Sequence, residues 1–202
     1  MKSKLQIMAI FGSCIIASSI LGFVIGPDLF GHSSTNINGN EYAATGSDTD
    51  SLAEALYGVQ VIVKGTVNKV LPVEMRDAGI VGKGSFQYEV TPATISVTQV
   101  VYGEVPESKE ITYLQHGVED KKTSSVEFVH EGDQVLLMLT KTPDGKYWSY
   151  NFDDGIWKLN NGKMQSKTHD VQLKKLVNTN YETFSSSVRK EAKQQMKPKD
   201  IE

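Results

Sequence analysis

The chain has 202 residues, of which 39% are hydrophobic and 22% are charged, and its formal net charge is −3. This composition is typical of a folded domain with tails and excludes a largely disordered chain. The weak net charge gives no reason to expect a nucleic acid as a partner. Residues 59–157 carry a net charge of −5 and residues 158–202 a net charge of +5. Two solvated faces would explain this distribution, as would a basic C-terminal part that contacts anionic lipid or cell-wall polymer.

An uncharged hydrophobic segment covers residues 5–25, directly after Lys2 and Lys4. At about 1.5 Å per residue, a helix of this length spans the roughly 30 Å hydrocarbon core of a membrane. Lysines before such a segment favour a cytoplasmic N-terminus, so we expect the remainder of the chain to be extracytoplasmic. We interpret residues 1–26 as a signal anchor or signal peptide, with the protein membrane-bound through residues 5–25, or secreted if the segment is cleaved.

The sequence allows three interpretations of this hydrophobic segment. An uncleaved anchor agrees with its length, whereas cleavage after Gly26 would leave Pro27 at the first mature position, which signal peptidase tolerates poorly. A cut after Gly31 is an alternative. A lipoprotein signal would need Cys14 at the end of the apolar run, but apolar residues continue as far as Ile25. Since Cys14 is the only cysteine, a disulfide framework and a cysteine-based metal site are excluded.

Beyond the hydrophobic segment the sequence divides into three parts. Residues 27–50 are rich in Gly, Ser, Thr and Asn and indicate a flexible stalk. Residues 51–165 are expected to fold as one domain dominated by strands. Residues 166–202 are expected to form a C-terminal helical segment that ends in a frayed tail.

The predicted domain begins with a short helix over residues 52–57, for which Ser51 and Glu54 form a capping box. The first strand follows from residue 59 to residue 67, and Gly65 within it indicates a bulge or a sharp bend. The charged, glycine-rich stretch after this strand is interpreted as a loop that includes Arg76, Asp77 and residues 79–84.

Further strands are predicted from alternation and from enrichment in Val, Ile, Thr and aromatic residues. They cover residues 88–102 with an interruption near Pro92, residues 111–114, the continuous apolar run 135–139, and two hairpin regions over 147–152 and 156–164. The apolar run is expected to be buried on both faces. Asn161-Gly162 predicts a type I′ turn, and residues 116–132 are interpreted mainly as a loop.

The C-terminal part changes to helical spacing. Asp170 is predicted to cap one helix, and Thr179 with Glu182 is predicted to form a capping box before a second. Phe184 and Val188 are expected to face the core. The complete order predicts a mainly β fold: a five- to six-stranded OB-like Greek-key barrel with short C-terminal helices, preceded by one transmembrane or signal helix. A half-open β-sandwich is the alternative.

Several segments of the predicted domain carry a family resemblance. They are residues 61–67, 94–97, 101–104, 111–117, 132–139, 155–157 and 161–163. In this order they resemble uncharacterised exported or membrane-anchored proteins of Gram-positive bacteria, with an OB-fold core similar to netrin-like domains, including the tissue inhibitors of metalloproteinases. Those inhibitors present an N-terminal cysteine to zinc. Because this β region has no cysteine, zinc chelation is not expected, and the usual OB helix between the third and fourth strands is not indicated either.

Motifs for covalent or metal chemistry are absent from the sequence. It contains no Gly-x-Ser-x-Gly elbow and no glycine loop that ends in Lys-Ser or Lys-Thr. His116 and His130 are interpreted as loop histidines, with a metal site beside neighbouring acids as the alternative. Asp153-Asp154-Gly155 predicts a turn with exposed carboxylates, because the remaining positions of a calcium loop are missing. We therefore expect no cofactor and no metal ion.

An aromatic cluster distinguishes the hairpin region. We predict Tyr147, Trp148, Tyr150 and Trp157 as ligand-binding residues. Since side chains alternate between the faces of a strand, one subset is expected in the core and the other on the surface. An exposed subset would bind sugar rings or an extended peptide, whereas packing in the core alone is the alternative.

These observations favour an extracytoplasmic, membrane-tethered binding module without enzymatic activity, whose ligand is a peptide, a protein or an envelope glycan. One alternative is a cell-envelope hydrolase, which would require carboxylates such as Glu119, Asp120, Asp153 and Asp154 to converge in a pocket. Another is a structural or assembly protein whose helical C-terminus packs on a membrane partner.

Overall fold

A computed structural model describes residues 49–77, 87–119 and 127–199. The predicted membrane segment, nearly all of the predicted stalk, the loop over residues 79–84 and Asp120 lie outside the described residues. Among the helices that the structure describes, none has both the length and the apolar character needed to cross a membrane. The prediction of a mainly β fold is confirmed, because the strands of the described part join into one sheet.

Eight strands are present in the described part of the chain. They are β1 Val61–Val70, β2 Glu74–Asp77, β3 Gln87–Tyr102, β4 Glu110–His116, β5 Gln134–Lys141, β6 Tyr147–Ser149, β7 Ile156–Asn160 and β8 Lys163–Gln165. The same residues form three α-helices and one 3-10 helix. These are α1 Leu52–Ala55, α2 Val171–Lys174, α3 Tyr181–Ala192 and the 3-10 helix Phe152–Gly155.

Five of the strands pair in a closed ring. Around the ring, β1 pairs with β3, β3 with β4, β4 with β6, β6 with β5, and β5 again with β1. The β4–β6 pairing is parallel and the other four are antiparallel. The strand β2 extends the sheet at β3, and the β7–β8 hairpin extends it at β5. These three additions raise the number of strands above the predicted five or six.

Two apolar cores lie on opposite sides of the sheet. The ring core contains residues from all five strands of the ring and from β7, including Val63, Ile95, Tyr113, Leu137, Tyr147 and Ile156. The helix-side core lies between the helices and the other face of β1, β5 and β7. It includes Leu56, Ile62, Met138, Trp157, Leu173, Phe184 and Val188. The expectation that Phe184 and Val188 face the core is confirmed, since neither is exposed.

The strand β5 contributes to both cores. Val135, Leu137 and Leu139 belong to the ring core, while Leu136 and Met138 belong to the helix-side core. Alternation along a strand sends successive side chains to opposite faces, and here both faces are covered. This arrangement confirms the prediction, made from the unbroken apolar run, that the strand is buried on both sides.

Gly65 marks an irregularity in β1, as predicted. The register between β1 and β3 shifts between Lys64 and Gly65. A methyl group placed on Gly65 would lie 2.5 Å from the carbonyl oxygen of Ser96 and 2.8 Å from a methyl carbon of Ile95. The close approach of the two backbones therefore requires a residue without a side chain at this position.

Several local signals are also confirmed. The Ser51 hydroxyl accepts a hydrogen bond from the backbone N–H of Glu54, and the Glu54 carboxylate accepts one from the N–H of Asp50. At the β7–β8 turn, Asn161 and Gly162 have φ values of 48° and 73°, as a type I′ turn requires.

Three strand assignments differ most from the prediction. Arg76 and Asp77, which were assigned to a loop, belong to β2 and pair with the start of β3. The strand β3 continues without interruption through Pro92, whose carbonyl oxygen accepts a hydrogen bond from the N–H of Leu71. The strand β6 ends at residue 149, because left-handed φ values at Asn151 and Phe152 turn the chain into the 3-10 helix.

The helix caps agree with the prediction at one position and differ at another. The Asp170 carboxylate accepts hydrogen bonds from the N–H groups of Gln172 and Leu173, so it caps α2 as predicted. The predicted capping box at Thr179 is wrong. The side chain of Asn180 caps α3 instead, and the hydroxyl of Thr179 donates to a carbonyl oxygen of the preceding turn.

Hydrogen bonds and an ion pair connect the first described residues to the C-terminal part of the chain. The Thr49 hydroxyl donates to the Asp170 carboxylate at 2.7 Å, and the Gln172 amide donates to the Thr49 carbonyl oxygen at 2.9 Å. The carboxylate of Asp50 lies 2.8 Å from the ammonium group of Lys199. The two ends of the described chain therefore lie side by side.

Candidate ligand-binding site

Four aromatic rings from four different elements contact one another on the side of the sheet that faces away from the ring core. Tyr88 comes from β3, His116 from the end of β4, Trp148 from β6 and Phe152 from the 3-10 helix. All four are half-buried. We call this set the aromatic face.

The distances between these rings show direct packing. The centroids of His116 and Trp148 are 4.2 Å apart with 14° between the ring planes, which is a stacked pair. The His116 centroid also lies 4.8 Å from that of Phe152, and the centroids of Tyr88 and Trp148 are 6.2 Å apart. Aromatic pairs at such separations contribute about 0.5–1.5 kcal/mol each beyond the burial of their surface. The rings therefore form one continuous patch whose members hold each other in place.

Strand register explains how residues distant in sequence meet in this patch. Val90 pairs with His116 across β3 and β4, and Leu114 lies beside Trp148 in the parallel pairing of β4 and β6. Tyr88 is two residues before Val90, and His116 is two residues after Leu114. Since residues two apart share a face, all these side chains project to the same side of the sheet.

Four charged residues border the aromatic face. Glu74 and Arg76 belong to β2, while Asp144 and Lys146 belong to the turn between β5 and β6. The Arg76 guanidinium makes two hydrogen bonds to the Asp144 carboxylate, of 3.0 and 3.1 Å, and the Lys146 ammonium lies 2.7 Å from the Glu74 carboxylate. The guanidinium carbon is 6.0 Å from the centroid of the Trp148 ring. We call these four residues the charged rim.

Ion pairing shifts the pKa of three members of the charged rim in favour of their charged forms. The guanidinium of Arg76 lowers the pKa of Asp144 to about 2, and Asp144 in turn raises the pKa of Arg76. The hydrogen bond from Lys146 lowers the pKa of Glu74. Two cations thus match two anions, and the rim carries no net charge at neutral pH.

The structure separates the four residues that were predicted to bind ligand. Trp148 belongs to the aromatic face. Tyr147 lies in the ring core and is 4% exposed. Trp157 is fully buried in the helix-side core, where its ring centroid lies 4.5 Å from that of Phe184. Tyr150 packs against the same core. Of the predicted set, only Trp148 therefore presents surface beside other partly exposed rings.

Three members of the aromatic face were not among the predicted ligand-binding residues. Tyr88 and Phe152 were placed in predicted strands without a role, and His116, which was interpreted as a loop histidine, is the last residue of β4. The alternation of β3 indicates which face Tyr88 occupies. The pairing that brings His116 beside Trp148 depends on a parallel contact between strands that are distant in sequence, for which no local signal exists.

Asp153 and Asp154 are buried, so the predicted turn with exposed carboxylates is wrong. Asp153 is 6% exposed and Asp154 is 2% exposed. The Asp153 carboxylate accepts a hydrogen bond from the N–H of Glu127, and burial raises the pKa of Asp153. The Asp154 carboxylate accepts hydrogen bonds from the Thr168 hydroxyl and the His169 N–H. Asp154 therefore ties the 3-10 helix to the segment that precedes α2.

The other acid and histidine candidates that the structure describes do not form one group. Glu119 lies on the surface, where its carboxylate is 2.6 Å from Nε2 of His130. His116 stacks on Trp148 and has no contact with His130 in the described residues. No group of three or more His, Cys, Asp or Glu side chains in residues 49–77, 87–119 and 127–199 is arranged to hold a metal ion.

A concavity of about 260 Å³ lies at the bulge of β1, away from the aromatic face. It is lined by Lys64, Gly65, Thr66, Thr98 and Gln134. Its charged member, Lys64, has its ammonium group 4.3 Å above the ring of Tyr181. None of its lining residues is aromatic, so the aromatic face is the stronger candidate for ligand binding.

No protein-family model and no curated protein matches the chain.

His116 gives the protein a testable dependence on pH. Burial among the aromatic rings lowers the pKa of His116 to about 4, from an ordinary value of 6.5. Below pH 6.5 the unfolded chain gains a proton at this imidazole that the folded protein does not bind until about pH 4. The free energy of unfolding should therefore decrease as the pH falls through this window, by up to about 3 kcal/mol.

The variant His116→Phe keeps an aromatic ring but cannot be protonated, so it isolates this effect. Denaturant unfolding at pH 7 and at pH 4.5 would compare the two proteins, and groups that they share should cancel. We expect the wild type to lose more stability than the variant on acidification. Equal losses would mean that the imidazole titrates normally in the folded state.

Proposed function

We propose that this protein is an extracytoplasmic, membrane-tethered binding module with an OB-like Greek-key barrel, and that the aromatic face is its ligand-binding surface. The observation that carries the proposal is the stacked, half-buried pair of His116 and Trp148, joined by Tyr88 and Phe152 and bordered by the charged rim. Soluble proteins rarely leave several aromatic rings together at the surface, and such patches commonly bind ligands.

The order of strands supports the OB-like part of the proposal. In chain order the five strands of the ring are β1, β3, β4, β5 and β6. The first pairs with the second, the second with the third, and the third with the fifth. The fourth strand closes the ring, because it pairs with both the fifth and the first. A five-stranded Greek-key barrel of the OB type binds its ligands on the face of its second and third strands, between two loops. In this chain the corresponding strands, β3 and β4, carry Tyr88 and His116, and the corresponding connections carry Arg76 and Asp144.

The extracytoplasmic part of the proposal depends on the N-terminal sequence. Lys2 and Lys4 precede the uncharged segment 5–25, a pattern that favours export of the residues beyond that segment. Tyr147, Tyr150 and Trp157 are not included in the proposed surface, because they pack in or against the two cores. The proposed ligand is a peptide, a protein or a glycan of the envelope.

The proposed function predicts that the body of the chain is displayed outside the cell and binds wall material through Trp148. Trypsin added to intact bacteria that produce the full chain should digest its body while a cytosolic marker survives. Purified full chain should co-sediment with detergent-extracted cell walls that retain their covalently attached proteins. Trp148→Ala should reduce the retained fraction at least about tenfold, because aromatic anchors carry much of the energy of such contacts.

Tyr181→Ala is the matched control, since Tyr181 is also half-buried but lies apart from the aromatic face, where its hydroxyl donates to Gln99. Thermal unfolding of both variants would establish that they are folded. Equal retention of wild type and Trp148→Ala would contradict the assignment of the surface. Protection of the whole chain from external trypsin, with recovery in the cytosol, would contradict the location.

A further inference from the structure

We infer that the aromatic face takes a neutral oligosaccharide. This inference rests on the proposed binding function and specifies the chemistry of its ligand. It depends on three properties of the surface, which are the pairing of all charges in the rim, the mixture of hydrogen-bond donors and acceptors there, and the contiguous aromatic surface beside them.

The pairing of charges argues against a charged ligand. The Arg76 guanidinium is engaged by Asp144 through two hydrogen bonds, and the Lys146 ammonium is engaged by Glu74. An anionic ligand would have to displace a carboxylate from its cation, and a cationic ligand would have to displace a cation. His116 adds no positive charge near neutral pH, because burial lowers its pKa to about 4. The four residues of the charged rim therefore offer neither sign of charge in excess.

The composition of the rim suits hydroxyl groups. Arg76 and Lys146 are donors without acceptor capacity, whereas the ionised carboxylates of Glu74 and Asp144 are acceptors without donor capacity. A sugar hydroxyl both donates and accepts, so neighbouring hydroxyls can bond to a carboxylate and to a guanidinium at once. A proline-rich peptide, the other common ligand of aromatic surfaces, offers carbonyl acceptors but no N–H at its prolines. Such a peptide would leave both carboxylates without new partners.

The aromatic face supplies the apolar part of the contact. One side of a pyranose ring consists largely of C–H groups, which pack against the electron-rich surface of an aromatic ring. Tyr88, His116, Trp148 and Phe152 form one patch through centroid distances of 4.2, 4.8 and 6.2 Å. The guanidinium of Arg76 lies 6.0 Å from the centroid of Trp148, so polar and apolar contacts to one sugar unit are within reach of each other.

The test uses the purified full chain in a detergent whose headgroup contains no sugar. The probes are β-1,4-linked tetramers of N-acetylglucosamine and of glucose, a polyproline peptide and inorganic polyphosphate. The chain has two tryptophans, and Trp157 is fully buried. A change in tryptophan emission or in its quenching by acrylamide should therefore report on Trp148. Calorimetric titration gives affinities for the variants.

We expect at least one neutral tetramer to bind the wild type, with little binding of polyproline or polyphosphate. Trp148→Ala should weaken tetramer binding at least about tenfold, and Tyr181→Ala should leave it unchanged. Asp144→Asn replaces the carboxylate that holds Arg76 through two hydrogen bonds and leaves Arg76 with a longer contact of 3.4 Å to Glu74. It should therefore weaken tetramer binding several-fold and create measurable binding of polyphosphate. This opposite response of two probes to one substitution is not expected from a loss of folding.

The inference is overturned if neither tetramer binds, if tetramer binding is the same in Trp148→Ala, or if polyproline or polyphosphate binds the wild type more tightly through Trp148. Its failure can be separated from failure of the proposed function. If walls retain the wild type through Trp148 while neither tetramer binds, the surface is a binding site for another envelope ligand. If walls do not distinguish the wild type from Trp148→Ala either, both are wrong.

Discussion

Replacement of Trp157 by alanine should lower the free energy of unfolding by about 3–5 kcal/mol, the range found when a large aromatic side chain is removed from a core. Trp157 is 0% exposed and packs against Phe184, which is equally buried. Its indole N–H also donates to the carbonyl oxygen of Asp154 at 2.9 Å. Truncation would thus open a cavity between β7 and α3 and leave a buried carbonyl group without its donor.

The two tryptophans provide the contrast that makes this prediction specific. Trp148→Ala removes a half-buried ring from the aromatic face, so its effect on stability should be less than half that of Trp157→Ala. Urea unfolding of the full chain in detergent, followed by far-ultraviolet circular dichroism, measures both without relying on indole fluorescence. A larger loss for Trp148→Ala would mean that the assignment of Trp157 to the helix-side core is wrong.

The substitution Gly65→Ala should destabilise the fold by roughly 2–3 kcal/mol, at the upper end of what overpacking usually causes. The added methyl group would lie 2.5 Å from the carbonyl oxygen of Ser96, and a backbone atom in a paired strand cannot move aside as a flexible side chain can. Relief requires β1 and β3 to separate. Because β1 also pairs with β5, the displacement would disturb both of its partners in the ring.

Gly132→Ala is the control for this second prediction. Gly132 has a φ of +88° and nothing within 4 Å of the added methyl group, so its substitution introduces backbone strain of about 1–2 kcal/mol but no collision. The same urea titration ranks the two variants. If Gly132→Ala proves the more damaging, the close approach of β1 to β3 does not limit stability.

Signals that reside in a few neighbouring residues predicted the local structure well. The apolar run of β5 could only be buried on both faces, Gly65 marked the bulge, and Asn161-Gly162 fixed the turn between β7 and β8. Each of these depends on the sterics or the polarity of the residue itself. The mainly β fold follows from the sum of such signals.

Structure that depends on a distant partner was not predicted. The strand β2 has the sequence Glu-Met-Arg-Asp, without alternating apolar residues, and it is paired only with the first residues of β3. Thr179 and Asn180 are both suitable caps, and Asn180 caps α3 at the point where the chain returns from α2 and bridges to Lys163 of β8.

The candidate site shows the same division. The sequence singled out an aromatic cluster but gave no means of telling an exposed ring from a buried one, since Trp148 and Trp157 lie in similar surroundings along the chain. Their exposure differs because Phe184 of α3 packs over Trp157, whereas Trp148 stacks on His116 of β4. Neither contact is encoded within the hairpin region itself.

The hydrogen bonds between Thr49 and α2 determine which contacts would bear a mechanical force applied at the N-terminal end of the domain. Tension arriving at residue 49 is borne first by its hydrogen bonds to Asp170 and Gln172 and by the ion pair between Asp50 and Lys199. Those contacts join the entry point to the C-terminal helices before β1 is reached. Under mechanical load the helices would therefore separate from the sheet first. The closed ring of strands that carries the aromatic face would remain intact until the helices had separated.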